Sequence, residues 1–575
     1  METFQSLLAQ RFSDALAKAG LPEAGELTLT SDPRFGDYQS NAALILGKQR
    51  GENPREVAGK ILGHLDVSSL AGPPQIAGAG FINFTLEAEA VAARTRELFE
   101  DERLGVARST SPKKIVIDFG SPNVAKPMHV GHIRSTVLGD ALARIATFLG
   151  HDVIRDNHVG DWGTQFGMVI WGWKNLLDRN ALARGSLAEI VRIYKETNAR
   201  STTDPQVREA CRQELVKLQS GDKENLDIWN ECVAFSMQDF EHVYGLLDIR
   251  YDIQCGESFY NDRLPGVVDG LLKKGIAEMS EDAVVVFFRD IPELADKPCI
   301  IRKRDGGYNY ATTDIATVDY RVNDLQRDTL WYVVGAPQIL HFKQIFAIAR
   351  RAGYDADFRH ITFGSILGED RKLMKTRAGE NVPLRQLLEE AVSRARQIIE
   401  EKNPGLAEEE KIDIAHKIGL GAVKYADLSQ YRMTDYIFSW DKMLALQGNT
   451  APYLQNAYVR IRSIFRKAAA AGELDRLNRS SLASAQFKEA AEIDLAKRLC
   501  QFAEVLPQVL NDFRPNILAN YLFELANSFH AFYEACPVLK AAEPARSSRL
   551  ALCDLAGRTL ERGLDLLGIK VPEKM

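Results

Sequence analysis

A chain of 575 residues is longer than one hydrophobic core usually serves, so three or four domains are expected. With 45% hydrophobic and 26% charged residues, long disorder is excluded, and a net charge of 72 minus 78, or -6, means that any nucleic acid must be met by local basic patches. Cys211, Cys232, Cys255, Cys299, Cys500, Cys536 and Cys553 stand singly without a C-x-x-C, signalling neither zinc knuckle nor disulfide framework; no dedicated metal site is expected.

The opening METFQSLLAQRFSDALAKAG is amphipathic and helical and lacks the unbroken apolar run of a signal peptide. No later stretch is long enough to span a membrane, so a cytoplasmic protein is expected. Residues 1 to about 110 read as a small α/β unit. A helix over Phe4–Leu16 gives way to the turn-rich SDPRFGDYQSN, a helical AALILGKQ and a further helix after Asn53-Pro54. The strand-like GFINFTL follows, and a charged helix ends in the linker ARSTSPKK.

The stretch from Lys113 to Gly150 organises the chain. Ile115–Phe119 is an apolar, β-branched run that suits a buried strand of a parallel sheet. From Val130, apolar positions recur every three or four residues up to Gly150, which predicts a helix. The joint between strand and helix holds His129-Val130-Gly131-His132. In an open α/β sheet that joint takes anions, because free amides and the helix dipole point at it. Two imidazoles three residues apart can donate to phosphoryl oxygens, and Gly131 lets a flat ring or phosphate approach. Taken alone, such a pair is also compatible with mere exposure or with metal binding.

Next comes HDVIRDNHVGDWGTQFG, a strand and a glycine-spaced loop with His158, Asp161, Trp162 and Gln165 on the ligand side of such a sheet; none is given a catalytic step. From about 176 to 300 the pattern is helical and charged, with short strand signals at AVVVFF and CIIRK. The sheet resumes from about 301. Tyr310 and Asp314 stand four apart at a helix start, hence on one face. LWYVVG leads to a second strand-to-helix joint carrying Gln338, and ITFGSILGEDRKLMKTRAG holds a loop with Lys372 and Lys375. From about 385 the chain is nearly all helical. Polar, aromatic-rich turns run into a basic helix with Arg460, Arg462, Arg466 and Lys467, a mixture that suits single-stranded RNA and equally a bundle with core tyrosines.

The segment Asp118-Phe-Gly-Ser-Pro-Asn-Val-Ala-Lys-Pro-Met-His-Val-Gly-His132 resembles the HIGH motif of class I aminoacyl-tRNA synthetases, and within them the arginyl-tRNA synthetases. The likeness runs from PRFGDYQSN to ERGLDLLGI. It implies a Rossmann-like α/β catalytic domain at 111–384, split by an insertion at about 176–300. An N-terminal α/β add-on domain at 1–110 and a C-terminal all-α helical-bundle domain at 385–575 would both bind tRNA. The implied substrates are ATP with Mg2+, L-arginine and tRNA(Arg), and the family's habit is a monomer.

The resemblance also implies roles, residue by residue. His129, Gly131, His132 and Lys375 would hold ATP, with His129, His132, Lys126 and Lys375 serving catalysis. Lys126 could supply charge that the absent K-M-S-K-S pattern leaves wanting. Asp314, with Asp118 as second acidic group and Tyr310 as wall, would bind the guanidinium. Ser121, Asn123, His132 and Gln338 would fix the amino and carboxylate end. Phe81 and Asn83 would hold an unstacked tRNA base, though Phe81 also fits a core and Asn83 a strand edge. Tyr453, Asn456, Tyr521 and Met575 would face the anticodon loop. Lys and Arg of the insertion are candidates for acceptor-stem phosphates. Two rivals are another adenylate-forming enzyme with the same joint and a catalytically silent tRNA-binding or arginine-sensing paralogue.

Overall fold

The computed structural model describes residues 1–30, 32–375, 381–472 and 487–575, which group into two compact units. One comprises Met1–Arg108 with Ala445–Asp565 and Lys570–Met575; the other comprises Ser109–Leu444 with Leu566–Ile569. The expected boundary at 384/385 falls inside the second unit, which keeps the helices Leu384–Lys402 and Glu408–Leu428.

In the first unit, four short strands form an antiparallel sheet in the order Leu27–Leu29, Tyr38–Ser40, Phe81–Phe84, Gln75–Ala77. Asn53 caps the helix Pro54–Leu62, with proline at its first position where no amide partner is lost. Helices Phe4–Lys18, Ala42–Arg50 and Ala88–Glu100 accompany this sheet, and the later part of the unit is mainly helical: Ala451–Ala470, Ala490–Cys500, Phe502–Asn511, Asn516–Ala535 and Ala545–Leu566. Glu504 is buried against the N-terminal sheet, where Tyr38 donates its hydroxyl at 3.0 Å and Gln5 its backbone N–H at 3.0 Å. Burial pushes its carboxyl up to about 7, since neutral neighbours offset only part of the lost hydration.

The second unit is built on a parallel sheet in the spatial order Asp357–His360, Thr329–Tyr332, Lys114–Asp118, Asp152–Asp156. Ile115, Val116 and Ile117 are fully buried, as expected for a central strand covered on both faces. The helix Val130–Phe148 follows the first strand, and Gly150, at φ +92°, ends it. Of this sheet's strands, the one from Lys114 to Asp118 leads on in sequence to Asp152–Asp156 on one side and pairs with Thr329–Tyr332 on the other. The winding therefore reverses between Lys114–Asp118 and Thr329–Tyr332, which is where ligands enter such sheets. The long helices Ser186–Thr203, Pro205–Gln219 and Lys223–Leu246 occupy the expected insertion, together with a three-stranded antiparallel sheet of Glu278–Ser280, Ala283–Val286 and Cys299–Arg302.

One polar cluster inside this unit determines the strand ends. Asp118 and Asp156 are register partners on neighbouring strands, so their carboxylates would repel. Arg321, fully buried, bridges them with Nη2 at 2.7 Å from each. Its guanidinium also lies 5.1 Å from the Tyr332 ring centre. The helix that begins at Tyr310 is thereby tied to the ends of both strands.

Candidate active site

The loop after the first strand is strained and clamped. Ser121 and Ala125 take left-handed backbone angles, φ +47° and +62°, which cost side-chain-bearing residues on the order of 1 kcal/mol each. Ser121 donates its hydroxyl to Asp118 at 3.0 Å and its N–H to Asn157 at 3.2 Å. Asn123 bridges to Gly160, where any Cβ would lie 2.3 Å from its Oδ1. Ser135, one turn into the helix, accepts the Gly120 N–H and donates to the Val333 carbonyl at 2.6 Å. This hydroxyl joins the first loop to the end of strand Thr329–Tyr332, five residues before Gln338.

The two histidines have a defined tautomer. His132 Nδ1 accepts the His129 N–H at 3.0 Å, and His129 Nδ1 accepts the Gly131 N–H at 3.1 Å. Each ring must then carry its proton on Nε2, where it can donate outward. The rings sit 4.0 Å apart. Burial, and then the neighbouring His129, pull His132 down to about 3; burial, and then Lys126, lower His129 as well. Both are therefore neutral donors at pH 7. A Cβ on Gly131 would stand 2.8 Å from the His129 ring, so a side chain there would displace it.

An acidic group lies at the same end of the sheet. Asp314 accepts a hydrogen bond from His341 Nε2 at 2.5 Å. Tyr310 opens the same helix and is 61% exposed, enough for a face to meet a ligand. Asp118, the expected second acidic group, is buried and has one oxygen engaged by Arg321 and the other by Ser121. The carboxylate that lies near Asp314 is Glu257, from the insertion. Burial, then the charges of Asp314 and Asp161, push Glu257 up to about 8; burial, and then the nearby Glu257, raise Tyr310. Glu257 is fixed by the loop that follows Asp156. Its N–H donates to Val159 at 3.0 Å, while Asp161 accepts the Ser258 N–H at 2.8 Å and hydroxyl at 2.6 Å. Sequence reasoning missed Glu257 and His341 because each sits among ordinary helical or loop residues far along the chain.

Gln338 is exposed at the second strand-to-helix joint, as its position in the sequence predicts. Lys126 is exposed, with its ammonium 5.7 Å from the Tyr194 ring centre. Lys372 and Lys375 are exposed; Lys375 pairs with Asn381, and the remainder of that loop, Thr376 and Arg377 included, lies outside the described residues. No group of three or more metal-ligating side chains occurs among the described residues.

In the first unit, Phe81 lines a cavity of about 500 Å³ with Thr28, Gln39, Asn41 and Ile45. Asn83 shares the strand face of Phe81 and lies opposite Gln39, but is 7% exposed with a buried Oδ1 that has no partner among the described residues. On the helix Ala451–Ala470, Tyr453 and Asn456 are half-buried one turn apart, and Tyr453 donates to Asn527 at 2.7 Å. His530 and the exposed Tyr533 flank Arg460 there. Tyr521 needs correction: it is 5% exposed and donates to the Arg498 carbonyl, so in this conformation it has no open face for a base. Arg462 pairs with the Glu573 carboxylate at 2.9 Å and Arg466 donates to the Glu573 carbonyl at 2.8 Å, so one of these cations is neutralised within the chain; Met575 is half-buried beyond it.

Residues 95–440 match the family described as tRNA synthetases class I (R), catalytic domain; residues 454–575 match the DALR anticodon binding domain, and residues 6–86 the arginyl tRNA synthetase N terminal domain. The chain is 46% identical over 587 residues to an arginine--tRNA ligase of Synechococcus sp., covering 99% of each. It is 44% identical to that of Laribacter hongkongensis, covering 100% of each. Among solved structures it resembles arginyl-tRNA synthetase from Plasmodium falciparum (28% identity, TM-score 0.86, 100% of each chain). It also resembles the Thermus thermophilus enzyme (25% identity, TM-score 0.83, 99% of this chain and 100% of that one).

Proposed function

Since the chain belongs to the arginyl-tRNA synthetases, and is thus an ATP-dependent ligase that joins arginine to tRNA, we propose that Asp314 and Glu257 form the seat for the guanidinium. The observation that carries this reading is the nearness of Glu257 to both Asp314 and Tyr310, with Asp314 oriented by His341 and Glu257 held largely protonated by burial first and its acidic neighbours second. A flat five-donor cation satisfies both, and a lysine ammonium does not. Ser121, Asn123 and Gln338 at the winding reversal then fix the amino and carboxylate groups.

The arginine carboxylate attacks the α-phosphorus in line, the bond to pyrophosphate breaks, and arginyl-adenylate forms. His129 and His132 donate from Nε2 to the phosphoryl oxygens, with Lys126 and Lys375 as added cations. MgATP enters as substrate, its ion held by phosphates and water. A hydroxyl of the 3′-terminal ribose of tRNA(Arg) next attacks the carbonyl and AMP leaves. Phe81, in the first unit's cavity, and the neighbouring Asn83 take a base, the Asn83 oxygen that has no partner among the described residues accepting from it, while Tyr453, Asn456 and Met575 meet the anticodon loop. Cytoplasmic location and a monomeric state complete the proposal; no described helix is long and apolar enough to cross a membrane.

The test is a charging assay with arginine, lysine and canavanine. Arginine and canavanine, which keep the flat head, should be attached to tRNA(Arg) and lysine should not; lysine charging at a comparable rate would reject the seat. The acidic pair predicts a pH effect as well. Glu257 is raised to about 8, so the free enzyme binds a proton there at pH 7, and a guanidinium favours its loss. Arginine affinity should therefore rise with pH by up to about tenfold per unit between pH 6 and 8 and level off above. Calorimetry in buffers of different ionisation enthalpy should show about one proton released per arginine at pH 7. No proton release would remove Glu257 from the pocket.

A further inference from the structure

Lys126 leaves a loop that its own sequence does not hold in shape. Ala125, immediately before it, adopts φ +62° without the freedom of glycine, and that angle sets the direction in which Lys126 departs. An outside group has to keep it there. The Ala125 N–H donates to Ser236 Oγ at 3.0 Å, and Ser236, fully buried on the helix Lys223–Leu246, commits its own proton to the Cys232 carbonyl at 2.8 Å. Its lone pair is thus aimed at the loop and cannot turn away. On either side the loop is tied by Val124 N–H to Gly160 at 3.0 Å and by Leu384 N–H to Met128 at 2.9 Å. The long side chain of Lys126 is still free to rotate. Tyr194, half-buried on the helix Ser186–Thr203, lies under its ammonium at 5.7 Å and narrows the rotamers it can take. Lys126 is also close enough to His129 to depress that ring's basicity, so the ammonium stands beside the phosphate donors.

We propose that Ser236 and Tyr194 are positioning residues that aim Lys126 at the ATP phosphates. The proposal rests on reading Lys126 as a phosphate contact. It gives two insertion helices a part in the chemical step besides any part in holding RNA.

The test uses the full-length enzyme with tRNA(Arg) and follows pyrophosphate release for Tyr194→Leu, Tyr194→Phe, Ser236→Ala and Lys126→Met, singly and with each of the first three added to the last. Tyr194→Leu and Ser236→Ala should each lower kcat by about three- to tenfold and raise KM for ATP, with KM for arginine within about twofold. Tyr194→Phe, which keeps the ring face, should match the parent. On the Lys126→Met background neither change should lower the rate further, because the group being aimed is gone. Losses of equal size on both backgrounds, or losses seen in KM for arginine, would overturn the proposal while leaving Lys126 in its role. A parent-like rate for Lys126→Met would instead reject the phosphate-contact reading itself. Because Tyr194 is only half-buried, its variant keeps the test valid should Ser236→Ala unfold.

Discussion

His132→Ala is expected to lower the rate of arginyl-adenylate formation by about two to three orders of magnitude, the loss found when one preorganised donor to a developing oxyanion is removed. The effect should fall on kcat, with tRNA affinity unchanged, because the ring sits at the joint of a parallel sheet in the unit spanning Ser109–Leu444. His132 also accepts the His129 N–H, so alanine both removes the Nε2 donor and leaves a backbone donor unpaired. His132→Asn can restore an acceptor near Nδ1 and offers an amide donor, and should recover part of the rate. Because His132 is held down to about 3, the wild-type rate should show no titration of this ring between pH 6 and 9. Single-turnover pyrophosphate release with bound tRNA measures each point. An undiminished rate in His132→Ala would leave the histidine pair without a role in the chemistry.

Asp314→Asn should lower kcat/KM for arginine by about a hundred- to a thousandfold, since unpairing a desolvated charge partner costs about 3–4 kcal/mol. The amide oxygen can still accept from His341, so the helix Tyr310–Asp319 and its anchoring through Arg321 persist. The change should appear in the arginine dependence alone, with KM for ATP within about twofold. Selectivity should shift with it: lysine, already excluded by shape, should gain nothing, and the ratio of arginine to lysine charging should collapse from the arginine side. An Asp314→Asn enzyme with parental arginine kinetics would sink the assignment of the seat.

Much of this was legible in the chain itself. The buried strand before Asp118, the helix from Val130 and the stop at Gly150 follow from β-branched runs and from helical periodicity, which local sequence encodes. The motif residues His129, Gly131, His132, Ser121, Asn123 and Gln338 all lie in the loops or helix starts that follow parallel strands, because strand-to-helix joints can be located from pattern alone. What escaped was decided by tertiary placement. Asp118 reads as an available carboxylate until a guanidinium some two hundred residues later is seen to bind it. Glu257 reads as a surface glutamate until the loop Val159–Asp161 is seen to fold its turn inward. Tyr521 fits an aromatic contact surface in composition but is packed within the helices, and no periodicity distinguishes an inward ring from an outward one on a helix that is apolar over most of its circumference.

Arg321 carries the same guanidinium as the amino acid this ligase consumes, held between Asp118 and Asp156 at the ends of two neighbouring strands. The buried pair is sealed by the chain's own cation, whereas the proposed pair of Asp314 and Glu257 would take its cation from solution. While Arg321 fills the buried pair, those two carboxylates offer no competing seat to a second guanidinium.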